Sequence, residues 1–313
     1  MSKNKISKNV SYTTKNITSS VTQHIVNNSM IFKGFPAPNT WIVKVKNDAV
    51  LIDSGFGDDN SFLLLKEYIN KELSGIKIHS ILLTHNHSDH SSGARKLSEY
   101  FNASVMIHRL EEKSLRADIT EEKKYSKKLR IQRKIWEDER KKTPVDNYIQ
   151  EGELIKFGSL KIRVIHTPGH TLGSNCYLFT NERILFSGDT ILGYDTVAIS
   201  APPNGDMTKY LNSLNRLKRY KLKYIAPGHG PIINDPKEKI NRLIQHRIER
   251  ENQIISLIKL GKKTDKSIFK AIYVNLDKSL KNSAMNQIHS HLHRLKELNK
   301  IKLQINNNNW KVL

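Results

Sequence analysis

The run from Thr84 to His90, with the sequence THNHSDH, constrains the fold more than any other part of the chain. It follows an apolar, strand-like stretch and places three imidazoles and one carboxylate within six residues. Side chains of these two kinds are typical ligands of zinc. In a tight turn after a strand, His85 and His87 can reach one ion. Asp89 and His90 then turn toward a second, so the run predicts a strand that ends at a site for two metal ions.

Three further residues of ligand type follow at long intervals, and each comes directly after a glycine: His170, Asp189 and His229. Each also lies at the end of a predicted strand. The strand ends of an α/β layer converge on one edge, which is where ligands bind. Seven potential ligands in four strand-end motifs therefore predict one metal site, and with it a hydrolase that uses metal-activated water.

The pattern of apolar residues predicts two kinds of architecture along the chain. From about residue 21 to residue 231, short apolar strands alternate with helical stretches, which predicts a layered α/β fold. Beyond this part, an amphipathic helix over 237–260 precedes two shorter helices and a strand pair around the turn 306–309. Three helices and a β-hairpin predict a small winged-helix-like domain.

These patterns predict three segments: a disordered tail over residues 1–20, a catalytic domain over 21–235 and the winged-helix-like domain over 236–313. The tail is rich in Lys, Asn, Ser and Thr and contains no acidic residue. Inside the catalytic domain, residues 116–146 form a charged helical insertion, with seven Lys or Arg between Lys123 and Lys134. A basic lid, a nucleic-acid contact and a solvated helix face are the three interpretations of this insertion.

The formal net charge of +22 favours an anionic partner, such as nucleic acid, a membrane surface or an acidic substrate. Residues 232–313 alone hold 17 Lys and Arg against 7 Asp and Glu, a net charge of +10. A general bias toward Lys, Asn and Ile is the alternative origin of this charge.

Membrane insertion and secretion are not expected, because no apolar window approaches the ~18 residues of a membrane span and the N-terminus has no apolar core of a signal peptide. The single cysteine, Cys176, excludes an intramolecular disulfide and fits a reducing compartment. We therefore expect a cytoplasmic protein, or one of the mitochondrial matrix in a eukaryote.

The HxHxDH run and the later His, Asp and His resemble the metallo-β-lactamase superfamily over roughly residues 21–231. The resemblance implies an αββα sandwich with two zinc ions at one edge. It assigns the first zinc to His85, His87 and His170, and the second to Asp89, His90 and His229. Asp189 bridges the two ions, and Asp89, Asp189 and His229 are the catalytic candidates. Asp53, in the motif LIDSG, is implied to orient a ligand imidazole through its other nitrogen.

The segments 187–193 and 227–231, the long helix and the C-terminal module are similar to the β-lactamase-like protein 2 group, which is regarded as single-strand-specific endoribonucleases. The resemblance implies an endoribonuclease that uses a bridging hydroxide, with single-stranded RNA as its partner. The alternative is a small-molecule hydrolase of a thioester, lactone or β-lactam. An RNA-binding module with a vestigial metal site is disfavoured because all seven ligands are present. The C-terminal domain is expected to contact RNA, to form a homodimer or to cover the catalytic domain.

Overall fold

The computed structural model describes residues 10–28, 37–118, 126–194, 196–304 and 308–313. The chain divides into two compact units. The first unit lies within residues 1–166, 173–195 and 222–234, and the second within 167–172, 196–221 and 235–313. The long C-terminal segment of the second unit starts at Asp235. The second unit also takes in two segments that we had placed in the catalytic domain.

A seven-stranded sheet organises the first unit. Its strands follow chain order across the sheet: β1 (Val10–Asn16), β2 (Val21–Asn28), β3 (Asn39–Val45), β4 (Asp48–Ile52), β5 (Lys77–Leu82), β6 (Ser104–His108) and β7 (Asn147–Ile149). Strands β1 to β4 are antiparallel to their neighbours, whereas β4 to β7 are parallel. The carboxyl ends of β4, β5 and β6 therefore lie along one edge, as ligand-binding α/β sheets require.

Strand β1 corrects the expected disordered tail. It pairs with β2 in an antiparallel hairpin, so the segment from residue 10 onward is ordered. Val10 is buried, and the ring of Tyr12 stacks on His24 at a centroid distance of 5.1 Å. Alternate side chains of this polar strand thus find partners that its composition does not reveal. Residues 1–9 of the predicted tail lie outside the described part of the chain.

A second sheet packs on the first. Its strands run in the order β12 (Tyr224–Pro227), β11 (Ile184–Gly188), β10 (Asn175–Phe179), β9 (Leu160–His166) and β8 (Leu154–Phe157). Val43, Val50, Val164 and Phe186 are fully buried in the core between the two sheets. Because side chains alternate along a strand, the neighbours of Val43 and Val50 point to the opposite face of the first sheet.

That opposite face is covered by helices α1 (Asp59–Glu72) and α3 (Ala94–Phe101). The short helix α2 (Ser88–Ser91) comes between them in the sequence. Leu51 packs there against Leu65 of α1 and Leu97 of α3. Helix-on-sheet and sheet-on-sheet layers confirm the predicted mixed α/β class.

The charged insertion contains α4 (Glu112–Arg116) and α5 (Lys127–Lys141), after a 3-10 helix at Arg109–Glu111. Trp136 of α5 is buried, stacks on Phe56 at 3.9 Å and donates a hydrogen bond from Nε1 to Asp58 Oδ2 at 3.0 Å. One face of α5 therefore packs against the rest of the first unit, while Lys134 lies exposed on another face of the helix. Residues 119–125, with part of the basic stretch, lie outside the described residues.

The second unit contains α6 (Met207–Leu217), α7 (Pro236–Lys259), α8 (Asp265–Ile272), a 3-10 helix at Lys278–Leu280, α9 (Lys281–Glu297), β13 (Ile301–Gln304) and β14 (Asn309–Val312). The predicted order of three helices and a hairpin is present after residue 235. Ile254, Ile288, Leu292 and Trp310 form its core. Residues 306–307 of the predicted turn lie outside the described part of the chain.

Side chains of α7 and α9 explain why residues 196–221 belong to the second unit. Arg247, fully buried, donates from Nη2 to the Val197 carbonyl at 2.6 Å. Gln287 Oε1 accepts from the Ile199 amide at 3.0 Å. These polar contacts are set by the tertiary structure and leave no sequence pattern. Within the described residues, we find no helix long and apolar enough to cross a membrane.

Candidate metal centre

Asp53 fixes both ends of the ligand run. It follows β4 with a positive φ of 61°, and its carboxylate accepts from the Thr84 amide at 2.8 Å and the Thr84 hydroxyl at 2.9 Å. The same carboxylate lies 2.8 Å from His90 Nδ1. Because a carboxylate can only accept, Nδ1 carries the proton and Nε2 of His90 is left to bind a cation.

Glu111 holds the middle of the run. This side chain is only 1 % exposed. Its carboxylate accepts from the Asn86 backbone amide at 2.8 Å, from the Asn86 side-chain amide, and from the Gly173 amide at 2.6 Å. Asn86 lies between His85 and His87, so Glu111 ties the loop that carries these imidazoles to the segment that enters β10.

The ligand-type side chains converge in two groups. One contains His85, His87, His170 and Asp189, and the other contains Asp89, His90 and His229. In each group, one ligand atom per residue lies within 4.8 Å of every other.

Nitrogen atoms approach each other directly in both groups. His85 Nε2 lies 2.9 Å from His87 Nδ1, and His90 Nε2 lies 3.2 Å from His229 Nε2. Asp189 Oδ1 is 3.4 Å from His90 Nε2 and 3.6 Å from His229 Nε2. Asp189 therefore belongs to the first group and also borders the second.

His170 is oriented inside the second unit. Its Nδ1 lies 3.0 Å from the carbonyl oxygen of Ala198, which can only accept a hydrogen bond. The proton is therefore on Nδ1, and Nε2 is the atom available to a cation. Ala198 sits between Val197 and Ile199, the residues that Arg247 and Gln287 hold through α7 and α9.

Two glycines allow the close approach of the strand ends. Gly188 has a φ of +46°, and a Cβ at this position would lie 2.5 Å from Thr84 Oγ1. A Cβ on Gly228 would lie 2.4 Å from Asp189 Oδ1 and 2.8 Å from His90 Cε1. Any larger residue would push the ligand side chains apart.

The loop that carries His229 is held from β3. Asn39 Nδ2 donates to the carbonyls of Pro227 at 2.8 Å and Gly230 at 2.9 Å. Trp41 Nε1 donates to the Pro227 carbonyl at 2.9 Å. These buried donors fix the backbone on both sides of His229.

Carboxylates set the charge of the second group. Burial has the largest effect on the pKa of His90 and lowers it, but Asp89, Asp189 and Asp53 together outweigh burial and raise the pKa to about 10. Burial also lowers the pKa of His229, and again Asp189 and Asp89 produce a net rise. Burial would raise the pKa of Asp89, yet the charge of His90 and the contact with His229 hold it well below its usual range.

These properties fit divalent metal ions. The donor atoms are imidazole nitrogens and carboxylate oxygens, which suit borderline cations. Two of the imidazoles have their outer nitrogen fixed by an acceptor, which is typical of metal-ligating histidines. Protons held on His90 and His229 by neighbouring carboxylates are those that a bound cation replaces.

Comparison with known proteins decides the family. The sequence model of the metallo-beta-lactamase superfamily matches residues 34–229. This chain belongs to the metallo-β-lactamase superfamily. The matched range contains all seven residues that the two groups bring together.

Curated members of the superfamily align over most of the chain. A β-lactamase-like protein 2 homolog of Caenorhabditis elegans is 27 % identical over 80 % of this chain and 75 % of its own length. The homolog of Drosophila melanogaster is 28 % identical over 85 % of this chain and 84 % of its own. An atrochrysone carboxyl ACP thioesterase of Aspergillus fumigatus is 26 % identical over 69 % of this chain and 58 % of its own.

Solved structures confirm the predicted αββα fold. A metallo-β-lactamase family protein from Thermus thermophilus is 20 % identical, with a TM-score of 0.70, and covers 90 % of this chain and 97 % of its own. A β-lactamase domain protein from Burkholderia ambifaria is 18 % identical, with a TM-score of 0.74, and covers 96 % and 94 %. At these identities the likeness establishes the fold alone.

Within this superfamily fold, sequence reasoning missed the residues that support the ligands. Glu111 belongs to no motif and follows a strand by three positions, so nothing in the sequence marks it. Asn39 and Trp41 lie in β3, where Trp41 reads only as a core residue. The Asp-Ser-Gly motif gave the one usable signal, and it led to Asp53.

Proposed function

We propose that this chain is a zinc-dependent endoribonuclease that uses two metal ions to cut single-stranded RNA. The observation that supports hydrolysis is the pair of ligand groups with Asp189 at their border, 3.4 Å from His90 Nε2. Seven nitrogen and oxygen donors fit two zinc ions per chain, since zinc commonly takes three or four protein ligands.

The chain's own residues prepare the site for this chemistry. When bound, divalent ions lower the pKa of water to near neutrality and neutralise charge on the reacting group. Asp53 keeps the proton of His90 on Nδ1, and Ala198 does the same for His170. Asp189, which belongs to the first group and borders the second, would help to hold the ions. Together with Asp89 and His229 it would contact the reacting atoms.

RNA is favoured over a neutral substrate by charge. Residues 232–313 carry a net charge of +10 on three helices and a hairpin, the element order of a winged helix. Each nucleotide adds one negative charge to RNA, so this charge attracts RNA strongly and a neutral thioester or lactone little. The relatives named β-lactamase-like protein 2 homologs align over 80 % and 85 % of this chain.

Cleavage of an end-labelled single-stranded RNA by the zinc-loaded protein tests the proposal. We expect internal cuts by the wild type that weaken as salt increases, and loss of activity with a chelator. Asp189→Asn should reduce the rate by roughly 10²-fold or more. The matched variant Asp138→Asn, which changes a carboxylate on α5 that is 42 % exposed, should cut normally. Intact RNA, or equal products from Asp189→Asn, would overturn the proposal.

A thioesterase is the second candidate, because one relative in the superfamily is named an atrochrysone carboxyl ACP thioesterase. The same donors would act on a carbonyl instead of a phosphodiester. Hydrolysis of acyl-CoA or acyl-glutathione by the wild type, lost in His87→Ala, with no cleavage of RNA would favour this function. A panel of RNA, acyl-glutathione and a chromogenic β-lactam at equal zinc therefore separates the candidates.

A further inference from the structure

The second unit contains a pocket that has no role in either candidate function. It is a cavity of about 360 Å³ lined by α8, the residues that follow it and the start of α9. None of the described residues that line the cavity bears a carboxylate. The lining includes three lysines and two aromatic residues: Lys266, Lys270, Lys281, Phe269 and Tyr273.

The three lysines give the wall of the pocket a positive charge. All three lysines are exposed. The carboxylate next to Lys266 in the chain, Asp265, is engaged elsewhere: it accepts from Trp310 Nε1 at 2.6 Å and lies 3.1 Å from His289 Nε2. The guanidinium of Arg250 lies 5.2 Å from the ring centroid of Tyr273 and adds a further positive charge beside the pocket. Such a pocket favours an anionic ligand.

The aromatic wall gives the pocket a second chemical property. The rings of Phe269 and Tyr273 lie 5.3 Å apart at 43°, and both side chains are half-buried. Both pack against the core of the second unit that contains Ile288 and Trp310, so their positions are fixed. A fixed aromatic surface beside a row of cations is the combination on which single-stranded nucleic acids bind, with bases stacked on the rings and phosphates on the lysines.

We propose that this pocket binds one unstacked nucleotide of a single-stranded RNA. Its base would stack on Phe269, which lies on α8 together with Lys266 and Lys270, and the lysines would contact the adjacent phosphates. The volume of about 360 Å³ lies within the range of small-ligand sites. A duplex is a poorer ligand, because its bases are already stacked and paired. The inference rests on the proposed function, since it gives the RNA substrate a second anchoring point on the chain.

Binding is tested without cleavage on an Asp189→Asn background. Fluorescence anisotropy measures the Kd of a fluorescein-labelled single-stranded oligonucleotide over a salt series. The pocket variant combines three substitutions: Lys266→Ala, Lys270→Ala and Lys281→Ala. A matched variant removes the same charge from exposed lysines of α7 and α9 outside the pocket: Lys237→Ala, Lys259→Ala and Lys296→Ala.

We expect the pocket variant to bind at least tenfold more weakly. Its plot of log K against log salt should lose about 2 in slope, as three phosphate contacts to a single strand predict. The matched variant should change Kd several-fold at most. Phe269→Leu keeps an apolar side chain but removes the ring, and should weaken binding by about tenfold without changing the slope. Circular dichroism checks that each variant is folded.

Equal losses in the pocket and matched variants would overturn the inference, because the lysines would then act only through total charge. If the wild type cuts RNA but Phe269→Leu binds as well as its parent, the nucleotide site fails and the proposed function stands. If the wild type neither binds nor cuts RNA, both fail together.

Discussion

Replacement of Glu111 by glutamine tests whether this buried carboxylate builds the metal centre. The substitution keeps the size of the side chain but exchanges one acceptor oxygen for an NH₂ donor. Three N–H groups point at the carboxylate, two from Asn86 and one from Gly173. The amide oxygen of glutamine can serve only one side, so at least one buried N–H then faces another donor.

The magnitude follows from this count. One unsatisfied buried donor costs about 1–3 kcal/mol, and the remaining hydrogen bonds lose the strength that a charged acceptor gives them. We expect a loss of about 3 kcal/mol, which lowers Tm by roughly 6–12 °C for a chain of this size. Since Asn86 lies between two ligands, zinc affinity should also fall by about 10–100-fold, the usual effect of losing an outer contact of a metal ligand.

Thermal unfolding in the presence of a chelator measures the stability of the metal-free protein, and competition with a chromogenic chelator measures zinc affinity. Glu99→Gln is the matched control, because Glu99 is 62 % exposed and pairs only with Arg95 in the same helix. It should shift Tm by no more than about 1–2 °C. A Glu111→Gln protein with the Tm and the zinc affinity of wild type would refute the reasoning.

Three further outcomes are expected. In Asp53→Asn, the uncharged amide cannot accept from both Thr84 and His90 as the carboxylate does, so the affinity for one of the two zinc ions should fall about 10–100-fold. Zinc titration measures this affinity, and two sites with the affinity of wild type would contradict the prediction. Because the pKa of His90 is raised to about 10 and that of His229 is also raised, zinc binding at neutral pH should release protons and strengthen as pH rises. Calorimetry in buffers of different ionisation enthalpy measures the release of protons, and identical heats of binding in all buffers would contradict it. Gly188→Ala should destabilise the fold by about 1–3 kcal/mol in denaturant titration, because its Cβ would overlap Thr84 at a positive φ, and a neutral effect would refute the close approach.

Local patterns were sufficient for the fold class and for the side chains that the structure brings together in two groups. Short apolar runs in β3 and β4 and helical periodicity in α7 and α9 depend only on neighbours in sequence, and the strand-end histidines and aspartates accompany glycines that can be read directly. Segment 10–16 was missed because its polar residues form a strand only by pairing with β2. Contacts between distant segments leave no such pattern.

The sequence by itself determined that seven side chains of metal-ligand type stand at strand ends of an α/β sandwich followed by a basic helical module. Only the tertiary structure decided which groups hold those ligands in place. Glu111 accepts from Asn86, 25 positions away, and Asn39 donates to Pro227, 188 positions away. Ala198 orients His170 through its backbone carbonyl. A hydrogen bond of this kind depends on where two segments meet after folding, and a backbone carbonyl has no side-chain identity. Residue type therefore revealed the candidate ligands, while three-dimensional packing alone revealed the groups that support them.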